Sequence, residues 1–161
     1  MKKSDYKKQG KKNRASGKRF EIKVREDLEK NGWIVFRNSN DVEFGFETKI
    51  VHGFVHTCFR QAKSKWNPFL NRAMMTQSGF PDFICIKIHD LSNPQTYYVQ
   101  FVECKGGDEK HRNLDKEEKE KVKWIKENLK ILVIIANKGK KRGEIKYVKM
   151  LNDLREVEVA T

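Results

Sequence analysis

The side chains in this chain best suited to act together are the carboxyl of Asp82, in a Pro81-Asp82 pair, and the carboxyl and ammonium of Glu103 and Lys105, which flank Cys104. Tyr97–Lys105 has the composition of a strand. Alternation along it puts Glu103 and Lys105 on one face with Phe101, and Val102 and Cys104 on the other. Phe83–Ile88 is a second apolar run of strand length, and Ser92-Asn93-Pro94 between the two runs predicts a turn and an antiparallel hairpin. That pairing brings Asp82, at the start of one strand, beside Glu103, near the end of the other. Two adjacent carboxylates repel and raise each other's pKa unless a cation lies between them. Mg²⁺ suits such a place, because it takes hard oxygen ligands and keeps positions for water and substrate phosphate. The lysine could then orient or help deprotonate an attacking water and offset charge on a phosphate. The plain alternative is an exposed ion pair between Glu103 and Lys105.

The elements that must position these groups are legible in outline. Ser16 is expected to cap a helix running to about Asn31, with Phe20, Val24 and Leu28 on one face. Asn31-Gly32 ends it, and Trp33–Arg37 reads as a strand. Weak alternation at Phe44, Phe46 and Ile50 suggests strand, with a hairpin over Ile50–His56 around His52-Gly53. Ser78-Gly79-Phe80-Pro81 punctuates the chain before the second hairpin. Asp115 and Glu118 form a capping-box pattern, and the helix after them, to about Asn128, puts Val122, Ile125 and Leu129 on one face. Ile131–Ala136 reads as a buried strand. Gly143–Lys149 is expected to be a final edge strand after the basic turn Lys138–Arg142. The order αβββαβ predicts an α/β fold, a mixed sheet flanked by helices.

The chain of 161 residues is one domain's length. Hydrophobic residues are 37% and charged residues 35%, with a net charge of +13, so one core can be buried and a polyanionic partner, above all nucleic acid, is implied. No apolar run approaches the ~20 residues of a membrane helix, and the basic N-terminus lacks the apolar segment of a signal peptide. A membrane protein, a secreted disulfide scaffold and an acidic disordered tail are excluded. Three widely spaced cysteines, Cys58, Cys85 and Cys104, form no CxxC pair and fit a reducing intracellular home, cytoplasm or nucleoid. Residues 1–19 hold nine bases against the single acid Asp5, so 1–15 is expected to be a flexible basic arm ahead of one domain spanning 16–161. Lys11, Lys12, Arg14, Lys18 and Arg19 are its candidate phosphate contacts; the plain reading is a solubility or targeting tail. Between Glu47 and Asp82 there is no acid, while Lys49, Arg60, Lys63, Lys65 and Arg72 are interleaved with Phe54, Phe59, Trp66 and Phe69. Either this stretch contacts nucleic acid or its aromatics cover the core.

Pro81-Asp82 followed by Glu103-Cys104-Lys105 resembles the signature of the PD-(D/E)XK nucleases. The stretch Ser16-Gly17-Lys18-Arg19-Phe20-Glu21, then Leu28 and Asn31-Gly32-Trp33-Ile34-Val35-Phe36-Arg37, resembles the opening of archaeal Holliday junction resolvases. The segment Ser78-Gly79-Phe80-Pro81-Asp82 is similar to the G-x-P-D of VRR-NUC-type relatives. The resemblance covers roughly 15–37 and 78–136. It implies a restriction-endonuclease-like sheet with 41–79 as an insertion before the P-D motif, in a region that would touch DNA. It further implies Mg²⁺, with Mn²⁺ able to substitute, held by Asp82, Glu103, Glu21 and the Cys104 carbonyl. Lys105 would be the catalytic lysine, the products would carry 5′-phosphate and 3′-hydroxyl ends, and the active species would be a homodimer. Junctions, flaps, forks and ordinary duplex all remain open as substrates, and a non-catalytic nucleic-acid-binding protein is the rival reading.

Other residues read more simply. Glu118 is taken as a cap partner, although VRR-NUC-type relatives often place an ordering Gln there. Arg37 either meets DNA or pairs with an acid. His52, His56 and Cys58 lack the helical context that would make a zinc site. Lys105-Gly106-Gly107 is not a phosphate loop, and His89 and His111 read as surface residues.

Overall fold

The computed structural model describes residues 3–43, 58–62, 66–67, 71–73, 79–90, 93–106, 114–141, 143–150 and 156–159. Phe20, Val24 and Leu28 are all buried on one face of the first helix, α1 (Lys3–Lys30), and Gly32, at a φ of +81°, lets the chain turn out of it. The helix begins far earlier than Ser16. It spans Lys3–Lys30, so residues 3–15 continue it instead of forming an irregular arm. Lys, Arg, Gln and Ala all favour helix, and Gly10 and Gly17 each cost only about 1 kcal/mol, too little to end a run of good formers. Side chains add local support: Gln9 donates to Asn13 at 2.9 Å and Arg14 to the Gly10 carbonyl at 3.4 Å.

The sheet has six strands in the order β1-β6-β7-β8-β9-β10: β1 Ile34–Arg37, β6 Phe83–Asp90, β7 Asn93–Lys105, β8 Leu132–Lys138, β9 Ile145–Met150 and β10 Glu156–Val159. All neighbours are antiparallel except β7 and β8, which run parallel and are joined by α2, Lys116–Trp124. The expected hairpin is β6–β7, with Phe83 opposite Val102. Gly143–Lys149 is not an edge, because β10 pairs outside it; the Glu-Val-Glu-Val alternation of β10 is the signal that reading passed over.

Both sheet faces are covered. On one, α1 packs on Val35, Phe83, Cys85, Val102, Ile134 and Ala136. On the other, Val122 and Ile125 of α2 pack on Phe101, Val133, Ile135 and Met150. Burial on both sides explains the continuous apolar run Val133–Ala136. Asp115 accepts the Glu118 N–H and Glu118 accepts the Asp115 N–H, completing the capping box. α2 then widens into a π-helical turn over Ile125–Leu129, and this change of pitch leaves Leu129 36% exposed instead of sharing the buried face of Val122 and Ile125.

Part of the 41–79 insertion belongs to the core. β2 Asn40–Glu43 pairs with β3 Cys58–Gln61, Val42 is buried under α2, and Phe59 stacks on Phe101 at 5.6 Å. Short strands β4 Trp66–Asn67 and β5 Arg72–Ala73 pair beyond them. The expected hairpin over Ile50–His56, with Phe44 and Phe46, lies outside the described residues. No helix among the described residues is long and apolar enough to cross a membrane.

Among the described side chains of α1 ahead of Phe20, none is buried. Removing residues 1–13 should therefore change stability by less than about 0.5 kcal/mol in urea denaturation, whereas Phe20→Ala should cost about 3 kcal/mol. An equal loss from both changes would contradict this packing.

Candidate active site

Asp82 stands just before β6 and Glu103 two residues from the end of β7, and the hairpin register brings them together. The backbone does the placing. The Cys104 N–H donates to Asp82 Oδ2 at 2.9 Å, and the Asp82 N–H donates to Glu103 Oε2 at 3.2 Å. Each carboxylate is thus held by the strand that carries the other. Glu103 Oε1 lies 3.3 Å from Lys105 Nζ, and Lys105 also donates to Glu118 Oε1 in a short contact. Glu118 therefore does two things: one oxygen caps α2 and the other holds Lys105. Its second role is a contact across the fold that no local pattern encodes.

Burial pushes the Asp82 carboxyl up to about 6, and the negative charge of Glu21 adds to this, against the Cys104 N–H and the Arg37 and Lys105 charges. Burial, then the charge of Asp82, likewise pushes Glu103 well above the carboxylate range. Burial works against charge on Lys105 too, but Glu103 and Glu118 outweigh it, and its pKa lies above the ordinary lysine value. Lys105 is accordingly an ammonium at neutral pH and a proton donor in hydrogen bonds.

Glu21 reaches the same end of the sheet from α1, where Arg37 Nη2 approaches its Oε2 at 3.3 Å. Of the two readings of Arg37, the structure contains the acid pair. The second oxygen of Asp82, the backbone carbonyl of Cys104 and the Glu21 carboxylate are the remaining donors here. Among the described residues no three His, Cys, Asp or Glu side chains gather closely enough to hold a metal ion by themselves. Two carboxylates with raised pKa values thus lie side by side at this end of the sheet.

Two further residues escaped sequence reasoning. Asn38, 2% exposed, clamps the Pro81-Asp82 segment. Its backbone N–H donates to the Asp82 carbonyl at 2.8 Å, and Nδ2 donates to the Pro81 and Asn40 carbonyls at 2.7 and 3.0 Å. Its Oδ1 accepts the Asn40 N–H at 2.9 Å. Gly79 lies so close to this strand that a Cβ there would sit 2.0 Å from the Asn40 carbonyl. Asn137 pairs with Lys105 across β7 and β8, and its buried Oδ1 has no hydrogen-bond partner. A polar residue following a strand reads as loop, so neither had a sequence signal.

Lys11, Lys12, Arg14, Lys18 and Arg19 are exposed along α1. The side chains of Arg60 and Arg72, together with Lys63, Lys65, His52, His56 and His111, lie outside the described residues. Burial raises the thiol pKa of Cys85 to about 12 and that of Cys104 upward as well, which disfavours the thiolate at both. His89 stacks on Tyr98 at 4.3 Å. Compared with known proteins, the chain matches no family model, no curated protein and no solved structure.

Asn38→Ala should cost about 2–3 kcal/mol in urea denaturation, because two carbonyls and an N–H lose their partner in the interior; a loss below about 0.5 kcal/mol would remove Asn38 from the clamp. The raised carboxyls make a second expectation. Above about pH 4 the unfolded chain releases these protons while the folded chain keeps them, so metal-free stability falls as pH rises toward and through the raised values. Asp82→Asn should flatten that fall and stabilise the metal-free protein by about 1–2 kcal/mol at pH 8, read from melting curves between pH 5 and 8. An identical pH slope in wild type and variant would show that Asp82 carries no such penalty.

Proposed function

We propose that this chain is a divalent-metal-dependent DNA endonuclease of the PD-(D/E)XK type, with a restriction-endonuclease-like core. One observation carries the reading: Asp82 meets Glu103 and Lys105 of another strand at one end of the sheet, with backbone bonds fixing both carboxylates. Structural ion pairs bury charge in matched sets; here burial raises both carboxyls, the charge of Glu21 adds to the rise at Asp82 and that of Asp82 to the rise at Glu103, a cost that a bound cation would offset.

Asp82, Glu103 and the Cys104 carbonyl would hold Mg²⁺, or Mn²⁺ in its place, with Glu21 at its margin. A divalent ion there would polarise the scissile phosphate and make water a better nucleophile near neutral pH. The chain's own groups do the rest. Lys105, kept protonated and aimed by Glu103 and Glu118, donates to the attacking water or to the phosphate oxygen on which charge builds. Glu118 is a positioning residue that acts through Lys105. Asn38 and the Cys104 N–H keep the Asp82 carboxylate from swinging away. Contacts to the sugar-phosphate backbone without base readout would suit a substrate recognised by shape, a branched DNA among them, cut by a homodimer.

The test is cleavage of labelled four-way junctions, forks and linear duplex with Mg²⁺ or Mn²⁺ and with EDTA. Asp82→Asn and Glu103→Gln should each lower the rate at least about 10³-fold, and Lys105→Ala about 10²-fold or more, while DNA binding persists. Absence of metal-dependent cutting on every substrate, with binding intact, would favour a non-catalytic binding protein.

A further inference from the structure

On the α1 face, the helix and the β8–β9 turn enclose a cavity of about 510 Å³. Arg19 and Lys23 line one wall, and Lys138, Lys140 and Lys141 the other. Among the described residues, none of these five cations lies within ion-pair distance of a carboxylate. Glu144 also borders the cavity. Its Oε2 accepts the Lys141 N–H at 2.9 Å and fills the space where a Cβ on Gly139 would fall, so it shapes the turn that presents the lysines. Lys138 Nζ is held 5.7 Å from the centre of the Phe20 ring. Five cations gathered in a concave site around the single carboxylate of Glu144, which the Lys141 N–H and the charges of Lys146 and Lys141 favour, leave an excess of positive charge that focuses a field an anion relieves.

The position of the cavity narrows the anion. Phe20, which lines it, also lies under Gly106, the residue after Lys105, where an added Cβ would come within 3.1 Å of the ring. Lys138 follows Asn137, the β8 partner of Lys105. Glu21, on the same turn of α1 as Arg19 and Lys23, approaches Asp82 closely enough to raise its pKa. The cavity and the candidate site thus share a wall, and one strand of phosphates crossing the sheet end would meet both. Phe20 is only 4% exposed, so the cavity offers no ring for an unpaired base to stack on, unlike a single-strand groove. We infer that this cavity seats the phosphodiester backbone of duplex DNA beside the scissile step, an inference that rests on the nuclease reading above.

Binding and cutting can be read apart. In EDTA, fluorescence anisotropy with a duplex of about 20 base pairs should show Lys140→Glu with Lys141→Glu weakening affinity at least about ten-fold and lowering the log K against log salt slope by about two. Arg19→Gln with Lys23→Gln, on the opposite wall, should weaken it several-fold. Lys30→Glu with Lys130→Glu makes the same charge change as the first pair at the other end of the sheet, where β1 and β8 begin, and should weaken binding less than about three-fold. A loss in the first pair no greater than in this control overturns the inference, as does tighter binding of an RNA duplex of the same sequence. If the wild type cuts DNA with Mg²⁺ but the first pair leaves binding and KM unchanged, only the cavity assignment falls. If the first pair destroys binding but the wild type cuts nothing, the nuclease reading falls and the backbone seat stands.

Discussion

Two hydrogen bonds exchanged between strands decide where the chemistry of this molecule can lie. The Cys104 N–H binds the Asp82 carboxylate, and the Asp82 N–H binds the Glu103 carboxylate. Because each acid is fixed by the other's strand, slipping the β6–β7 register by one residue would break both bonds and turn Glu103 to the opposite face. The hairpin register, the packing of Phe83 opposite Val102 and the site geometry are therefore one constraint. The clamp by Asn38 extends it to β1, since the same residue links the strand end to the Asp82 carbonyl.

The parallel pairing of β7 and β8 has a comparable effect on the lysine. A parallel connection needs a crossover, and α2 supplies it. Its first turn carries Glu118, so the residue that starts the helix also reaches Lys105. Lys121, one turn later, joins Asp41 of β2 at 2.9 Å and Glu117 at 2.8 Å, fastening the insertion to the helix. The same helix therefore ties both the site lysine and the added strands to the central sheet.

Alternation and turn chemistry made β1, the β6–β7 hairpin, the α2 cap and β8 legible, because each has a local cause: a period of two, a Pro-containing turn, a D-x-x-E pattern, an apolar run. The convergence of Asp82, Glu103 and Lys105 followed from them by register alone. What stayed hidden depends on distance or on competition. The start of α1 was misread because Ser16 can cap, although nothing before it stops a helix. Leu129 was assigned to the buried face because regular pitch gives no hint of a π turn. Asn38 and Asn137 have roles only where separate strands meet. The docking of Val42 and Phe59 onto the α2 side of the core is likewise long-range.

The unbroken course of α1 has a mechanical meaning. At about 1.5 Å per residue, Lys8, Lys12, Arg19 and Lys23, spaced by four, seven and four, form a line of roughly 22 Å along one helical stripe. The angular phase of this line is set by main-chain bonds, so the outer lysines point the same way as the pair that borders the cavity. A floppy tail would lose conformational entropy on settling against a polyanion, whereas a rod has already given it up during folding. Inserting a single residue between Lys12 and Arg19 would turn the outer half by about 100° relative to that pair.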